Sequence, residues 1–228
     1  MKYSIVKHGN SRSFPGNGDA FVAGASDKAD VVVYLGAYQA PGSHRVDDGW
    51  QAILLELDTE CLGVHTGEHA GEEGSNVLGF ARYRNGNEAP GSLVELVRQP
   101  NTRQTAIDAA RQVFEAAGFQ VVVCADQAGR ILDRLVRPVY NAALRFLDER
   151  LATAEDMDLT CRLGLGYPDG PVERVERGDL ARHYEITQSL FEIYGVPGFA
   201  PARRAVVAHE RRRRAGSQLR QTHQQEED

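Results

Sequence analysis

The sequence predicts an α/β domain followed by an all-α domain, because the spacing of its apolar residues changes near the middle of the chain. Five short apolar or β-branched runs lie in the first half, as is typical of buried strands. A helical pattern between the last two runs gives strand–helix–strand order, which favours an α/β layer. From about Ala125 onward, apolar residues recur at every third or fourth position, which predicts helices. We therefore place the α/β domain at 1–124, the helical domain at 125–215 and a polar tail at 216–228.

The predicted strands of the first half are YSIVKH, DVVVYLG, AILLELD, NVLGFARY and FQVVVCA. The helix between the last two lies in NTRQTAIDAARQVFEAAG. In that segment Thr102 is the expected N-cap, and Gly118 is the expected C-terminal stop because glycine tolerates left-handed backbone angles.

The helical domain begins with the longest apolar stripe of the chain, which runs from Ile131 to Leu147 over about five turns. We expect this helix to be largely buried. Thr153, three residues before Asp156, resembles a capping box. Two more helices are predicted in DLARHYEITQSLFEIYG and APARRAVVAHERRRR. The final GSQLRQTHQQEED is expected to be a frayed polar tail.

Composition sets limits on location and partners. The chain is 42% hydrophobic and carries a net charge of −6, and this negative net charge does not favour binding to nucleic acid. It lacks an apolar run of the roughly 18–20 residues that a membrane helix needs, and its first residues do not resemble a secretory signal. Cys61, Cys124 and Cys161 are odd in number and far apart, which disfavours a disulfide framework. We expect a cytoplasmic protein with reduced thiols.

One pair of histidines has the spacing of metal ligands. His65 and His69 would lie one turn apart on a helix. Gly67 between them and Gly71 after them disfavour a stable helix. We expect an exposed polar loop and no metal site.

The helical half resembles a known family. From Ala125 to about Glu210 the chain is similar to the C-terminal helical domain of the 3-hydroxyacyl-CoA dehydrogenases; the matching residues are AGRILDRLVRPVYNAALRFLDERLATAEDMDLTCRLGLGYPDGP, which include the family's G-x-G-x-P-x-GP turn. The residues of that turn are Gly164, Gly166, Pro168, Gly170 and Pro171. More weakly, SDKADVVVYLG, ILLELDTECLG and NVLGFARYRNGNEAPGSLVELV resemble successive segments of the family's nucleotide domain. The resemblance implies a reduced Rossmann-like parallel-sheet domain and a helical dimerisation domain.

The resemblance also assigns four positions of the active site. The family's orienting glutamate falls on Glu95, its general-base histidine on Ala81, its serine on Glu60 and its asparagine on Asp133. Alanine cannot accept a proton, and loss of a general base costs roughly 10²–10⁴-fold in rate. The carboxylates of Glu60, Glu95 and Asp133 would repel one another and a substrate oxyanion if all lay around one cleft, as we expect.

The cofactor motif is incomplete. Dinucleotide binding requires G-x-G-x-x-G at a strand–helix turn, whereas Gly16 and Gly18 are followed by Phe21 in the third position. The first half is also short by one or two βα units of ~30 residues each. No cofactor is expected, and the cofactor-binding residues stay unassigned; NAD is expected only if the chain is a working dehydrogenase.

Three functional hypotheses remain open. The favoured one is a divergent dimeric relative that binds an acyl-CoA-like ligand without ordinary hydride transfer. The others are a working NAD-dependent 3-hydroxyacyl-CoA dehydrogenase with relocated residues, and a non-catalytic dimeric interaction module. NADH binding separates the second hypothesis from the other two, and acyl-CoA binding separates the first from the third.

Overall fold

The computed structural model describes residues 1–16, 18–36, 47–67 and 76–226, with side chains as far as residue 218. These residues form two compact units. One combines Met1–Arg84 with Ala89–Leu132, and the other combines Asn85–Glu88 with the residues from Asp133 onward. The first unit is built on a sheet and the second on helices, so the predicted fold class of α/β followed by all-α is confirmed.

The sheet of the first unit has six strands, arranged in the order β1-β2-β3-β4-β5-β6. They are β1 (Tyr3–Lys7), β2 (Val31–Leu35), β3 (Ala52–Glu56), β4 (Val77–Arg82), β5 (Leu93–Arg98) and β6 (Gln120–Ala125). The first four run parallel, β5 pairs antiparallel with β4, and β6 pairs parallel with β5. The predicted parallel-sheet domain is therefore confirmed as a mostly parallel sheet, in which β5 and β6 run opposite to the other four strands.

Strand β5 was not among the five predicted runs. Its sequence LVELVR carries a glutamate in the middle, and this interrupts the apolar run that identifies a buried strand. Glu95 is nevertheless only 3% exposed. The strand tolerates this burial because the carboxylate has hydrogen-bond donors from another element, described below.

The described residues of the first unit also form three helices: α1 (Ala20–Ala23), α2 (Gly63–Thr66) and α3 (Gln104–Ala116). The apolar face of α3 packs on one side of the sheet, together with Phe14, Phe21 and Phe80. A smaller core, which includes Ile53 and Leu55, lies on the alternate residues of the strands. Thr102 is not the N-cap of α3 as predicted; that position belongs to Arg103, and the hydroxyl of Thr102 accepts from the amide of Gln99.

The second unit contains α4 (Leu132–Asp148), α5 (Ala154–Leu165), α6 (Pro171–Arg177), α7 (Leu180–Tyr194) and α8 (Arg203–Glu226), with a short 3₁₀ turn at Pro197–Phe199. The predicted Thr153 cap is confirmed, because its hydroxyl accepts from the amide of Asp156 at 3.1 Å. Helix α8 continues through most of the segment that was predicted to fray.

The glycine- and proline-rich turn between α5 and α6 is an architectural joint. Gly166 ends α5 at φ +70°, and Pro171 starts α6. A Cβ on Gly170 would lie 2.0 Å from Cγ of Asp158, whose carboxylate accepts from the amides of Val172 and Glu173. Glycine is thus required for Asp158 to reach and cap α6.

No helix in the described ranges is long and apolar enough to cross a membrane. The three cysteines are free thiols.

Candidate functional site

Ala81 and Glu95, which occupy the family's histidine and glutamate positions, lie directly opposite each other. Ala81 in β4 pairs with Glu95 in β5 across the antiparallel ladder, and the two are 5% and 3% exposed. Residues directly opposite in such a pair present their side chains on the same face of the sheet. A methyl group therefore stands beside the carboxylate where an imidazole would be required.

The carboxylate of Glu95 is committed to the start of α4. Its Oε1 accepts from the amides of Ile131 and Leu132, both at 2.9 Å, and its Oε2 lies 3.6 Å from Nε of Arg130. The first amides of a helix lack partners within the helix, and a carboxylate there is also stabilised by the helix dipole. Glu95 thus caps α4 from a neighbouring strand.

Arg130 is the cation of this cluster. It is 6% exposed and has a φ of +48°, in the left-handed region that arginine rarely adopts. Its Nη2 donates to the backbone oxygen of Asp58. The guanidinium therefore contacts both the segment that follows β3 and the middle of β5.

Glu60, at the family's serine position, pairs with a histidine. Nε2 of His65 lies 3.1 Å from Oε1 of Glu60, which also accepts from the amide of Asp58. Burial raises the pKa of Glu60, but the hydrogen bonds from His65 and the backbone outweigh this effect and lower the pKa overall. Glu60 is therefore an anion at neutral pH. His69, the other half of the suggested metal pair, lies outside the described residues.

Asp133, at the family's asparagine position, is held within the helical unit. Its Oδ1 accepts from Nε of Arg137 at 2.8 Å, and Nη1 of Arg137 lies 3.3 Å from Nδ1 of His183. His183 in turn contacts Oδ1 of Asn141 at 2.9 Å through Nε2. Burial, and then the charge of Arg137, lower the pKa of His183 to about 3, so its imidazole is neutral at physiological pH.

Each of the three carboxylates therefore has its own donors. Glu60 has His65, Glu95 has two amides and Arg130, and Asp133 has Arg137. The expected repulsion among them depends on their sharing one cleft and stays a prediction. That the four positions line one cleft remains a prediction.

Cys124 and Cys61 are not activated thiols. Burial, and then the negative charge of Glu95, raise the pKa of Cys124 to about 11. Burial, and then Asp126, raise the pKa of Cys61 as well. Since the thiolate is the reactive form, neither side chain supplies a nucleophile at neutral pH.

The residues after β1 do not fit a dinucleotide. A Rossmann crevice forms where strand order reverses, with the pyrophosphate on the helix that follows the first strand. Here β1 is at the edge of a sheet whose order shows no reversal. Helix α1 has four residues, and its start is capped by the carboxylate of Asp19, which accepts from the amide of Phe21. The described residues of this turn therefore offer no suitable helix N-terminus for a pyrophosphate.

Sequence reasoning missed several polar residues that organise the site. They are Asp126, Arg130, Asn141 and His183. The signal that the sequence does contain, an isolated acid inside an apolar run as in ILLEL and LVELV, concerns Glu56 and Glu95 alone. Such an acid must find donors when the strand is buried.

The chain is similar to known proteins over both units. Residues 129–220 match the family model of the 3-hydroxyacyl-CoA dehydrogenase C-terminal domain. The 3-hydroxybutyryl-CoA dehydrogenase of Mycobacterium tuberculosis is 32% identical over 149 residues, which are 65% of this chain and 51% of that protein. The mitochondrial hydroxyacyl-coenzyme A dehydrogenase of Homo sapiens is 36% identical over 84 residues, 37% of this chain and 27% of that protein. This chain thus spans about half or less of these relatives.

Solved structures agree on the fold. The crystal structure of FadB2 from M. tuberculosis superposes with a TM-score of 0.66 at 22% identity, covering 80% of this chain and 66% of that one. (S)-3-hydroxybutyryl-CoA dehydrogenase PaaH1 from Ralstonia eutropha gives a TM-score of 0.63 at 19% identity, covering 80% and 64%. At these identities the likeness concerns architecture alone. The chain is therefore similar to the 3-hydroxyacyl-CoA dehydrogenases in the sequence of their C-terminal domain, over residues 129–220, and in fold.

Proposed function

We propose that this chain is a divergent, dimeric relative of the 3-hydroxyacyl-CoA dehydrogenases that binds an acyl-CoA-like ligand and does not perform ordinary hydride transfer. The observation that carries the proposal is the pair of Ala81 and Glu95 across β4 and β5. Hydride can leave a hydroxyl-bearing carbon only as a base removes the hydroxyl proton, and a methyl group cannot do so.

Neighbouring groups do not replace the missing base. Arg82 keeps its proton and donates to the backbone oxygens of Ser13 and Gly91. The oxygens of Glu95 already accept from two amides and lie beside Arg130. Proton transfer by Glu95 would therefore require it to release α4.

The turn after β1 supports the same proposal. It lacks the triple-glycine spacing, and α1 is short and already capped by Asp19. A pyrophosphate would meet the carboxylate of Asp19 where helix amides should be free, and like charges repel. We therefore propose that NAD is not a cofactor of this chain.

Dimerisation is supported by apolar side chains exposed on the helical unit. Leu159 and Leu163 lie one turn apart on α5 and are 48% and 79% exposed. Leu135 on α4 is 63% exposed although it belongs to the predicted apolar stripe. A symmetric contact with a second copy would bury these side chains, and two-fold dimers are the commonest closed assemblies.

An acyl-CoA-like ligand is proposed because the domain that matches the family is the one retained most completely. Residues 129–220 cover α4 to most of α8. The named relatives act on hydroxyacyl or hydroxybutyryl groups carried by coenzyme A. The substituted position, Ala81, lies in the sheet, so the substitution leaves the helices to which the ligand is proposed to bind unchanged.

Binding and turnover measurements test the proposal. Purified protein is titrated with acetoacetyl-CoA by calorimetry and with NADH by fluorescence, and NADH oxidation is followed with both present. We expect saturable binding of acetoacetyl-CoA, no saturation by NADH at micromolar concentrations, and no turnover. Coenzyme A alone serves as the control for the acyl group.

The alternatives give different results. NADH saturation with turnover near the enzyme median of ~10 s⁻¹ would contradict the proposal and favour a working dehydrogenase with relocated residues. A dimer that binds neither compound would instead favour an interaction module.

A further inference from the structure

Glu56 is a buried carboxylate without a counterpart in the site described above. It ends β3, is 7% exposed and receives three hydrogen bonds. Its Oε1 accepts from the hydroxyl of Ser11 at 2.9 Å and from the amide of Ser13 at 2.7 Å. Its Oε2 accepts from the amide of Gly36 at 2.7 Å. Short hydrogen bonds from amides to a carboxylate are among the strong ones in proteins.

The donors come from the places where α/β proteins hold anionic ligands. Ser11 and Ser13 lie in the turn after β1, and Gly36 directly follows β2. Ligands of open α/β sheets bind outside the carboxyl ends of the strands, and the first such turn is where Rossmann domains hold a pyrophosphate. In this chain those donors face an anion that the protein itself supplies.

The backbone segments that follow β1 and β2 also lie against each other. A Cβ on Gly36, whose φ is +88°, would lie 2.8 Å from the backbone nitrogen of Gly9. The amide of His8 donates to the oxygen of Leu35 at 2.9 Å. Gly9 and Gly36 are therefore in direct contact just beyond the ends of β1 and β2.

From these contacts we infer that Glu56 is a built-in anion that takes the place of a ligand phosphate in the turn after β1. The carboxylate supplies the negative charge and acceptor oxygens, and Ser11, Ser13 and Gly36 supply the donors. The turn is consequently held in place by the chain alone, without a nucleotide. This inference concerns the first unit and is independent of the proposed acyl-CoA ligand.

Rescue by small anions tests the inference. Glu56→Ala removes the carboxylate and leaves a cavity lined by three donors. We expect the melting temperature to fall by roughly 5–10 °C, since unsatisfied buried donors are costly. Formate or inorganic diphosphate at tens of millimolar should restore at least a third of that loss, while sodium chloride at equal ionic strength should not. Wild-type protein should gain nothing from either anion.

Leu55→Ala is the matched control. Leu55 precedes Glu56 in β3 and is 1% exposed, so its loss leaves an apolar cavity without donors. This variant should lose a similar number of degrees and regain none with formate or diphosphate. Equal rescue of both variants would attribute the effect to general stabilisation by salt and overturn the inference.

Hydrogen exchange gives a second measurement that does not depend on Glu56→Ala folding. In Glu56→Gln the side chain keeps its shape but loses its charge and one acceptor oxygen. The amides of Ser13 and Gly36 should then exchange at least tenfold faster than in wild type, and that of Val33 in β2 should be unchanged. Unchanged protection at Ser13 and Gly36, or diphosphate stabilising the wild type, would overturn the inference.

Discussion

Substitution of Glu95 separates a capping role from a catalytic one. Glu95→Ala leaves the amides of Ile131 and Leu132 without an acceptor and leaves Arg130 buried without its nearest carboxylate. Loss of an N-cap costs ~0.5–2 kcal/mol, and an uncompensated buried charge costs ~3–5 kcal/mol. Because both losses occur in one cluster and do not simply add, we expect a loss of about 4 kcal/mol in the free energy of unfolding.

Glu95→Gln should cost less. Its amide oxygen still accepts from the start of α4, but the charge opposite Arg130 is lost, and we expect about 1–3 kcal/mol. Urea unfolding measures both variants, and a loss of 1 kcal/mol lowers the melting temperature by ~2–4 °C in a chain of this length. Glu115→Ala is the control, because Glu115 pairs with Arg111 at the surface and such pairs contribute ~0–1 kcal/mol.

A second substitution tests the role of Arg130, the cation beside Glu95. In an Arg130→Met background the buried cation is absent, so Glu95→Gln should cost at least ~1 kcal/mol less than in wild type. The reasoning fails if Glu95→Ala is as stable as Glu115→Ala. It fails equally if Glu95→Gln leaves stability unchanged and abolishes a measurable dehydrogenase turnover, since Glu95 would then act in a dyad.

Three further outcomes follow from the site and the helical unit. Since the pKa of His183 is lowered to about 3, the unfolded chain binds a proton that the folded chain does not between pH 3 and about 6.5. The free energy of unfolding should therefore fall on acidification through this window by up to ~1.4 kcal/mol per pH unit. In His183→Gln, urea unfolding at pH 4–6 should show a weaker dependence of this free energy on pH. An equal dependence would contradict the lowered pKa of His183. Ala81→His alone should not create acetoacetyl-CoA reduction, because Glu95 already caps α4 and cannot orient an imidazole; turnover above background would contradict that view. Leu163→Glu should shift the sedimentation coefficient from dimer to monomer at micromolar concentrations, whereas Thr160→Glu, with the same charge on α5, should not; a wild-type monomer would refute the proposed dimer.

Much of the fold could be predicted because its signals are local in sequence. Five of the six strands were identified from short apolar or β-branched runs, and one of these runs, YSIVKH, is the edge strand β1. The Thr153 cap and the turn at Gly166 also follow from neighbouring residues alone. Each of these features depends on conformational preferences within a few positions, so a single sequence contains the necessary information.

The sequence offered candidate site positions but not their partners. Ala81 and Glu95 were selected by the family resemblance and pair across β4 and β5, yet the amides that Glu95 contacts lie 36 and 37 residues away along the chain. Nothing near Glu95 indicates that α4 would begin beside it. Strand β5 was missed for the same reason. Glu95 interrupts its apolar residues at the centre of the run, and the amides that allow the carboxylate to be buried lie far away in the sequence.

Several acidic side chains of this protein share one arrangement, in which a carboxylate accepts hydrogen bonds from backbone amides at the start of a helix or in a turn. Glu95 accepts from two amides of α4, Asp126 from the amides of Leu62 and Gly63, and Asp158 from two amides of α6. Glu56 does the same for the turn after β1. Burying a carboxylate is costly in itself, but unpaired amides in a dry interior are costly too, and bringing them together removes both penalties. Conversely, replacing Glu56 or Glu95 by an apolar residue would restore a regular strand pattern while leaving the amides unsatisfied. An acid within a buried strand of this protein is therefore evidence first for a backbone end that needs an acceptor. A catalytic role for Glu95 would require its carboxylate to give up the amides of Ile131 and Leu132, which have no other acceptor within the first turn of α4.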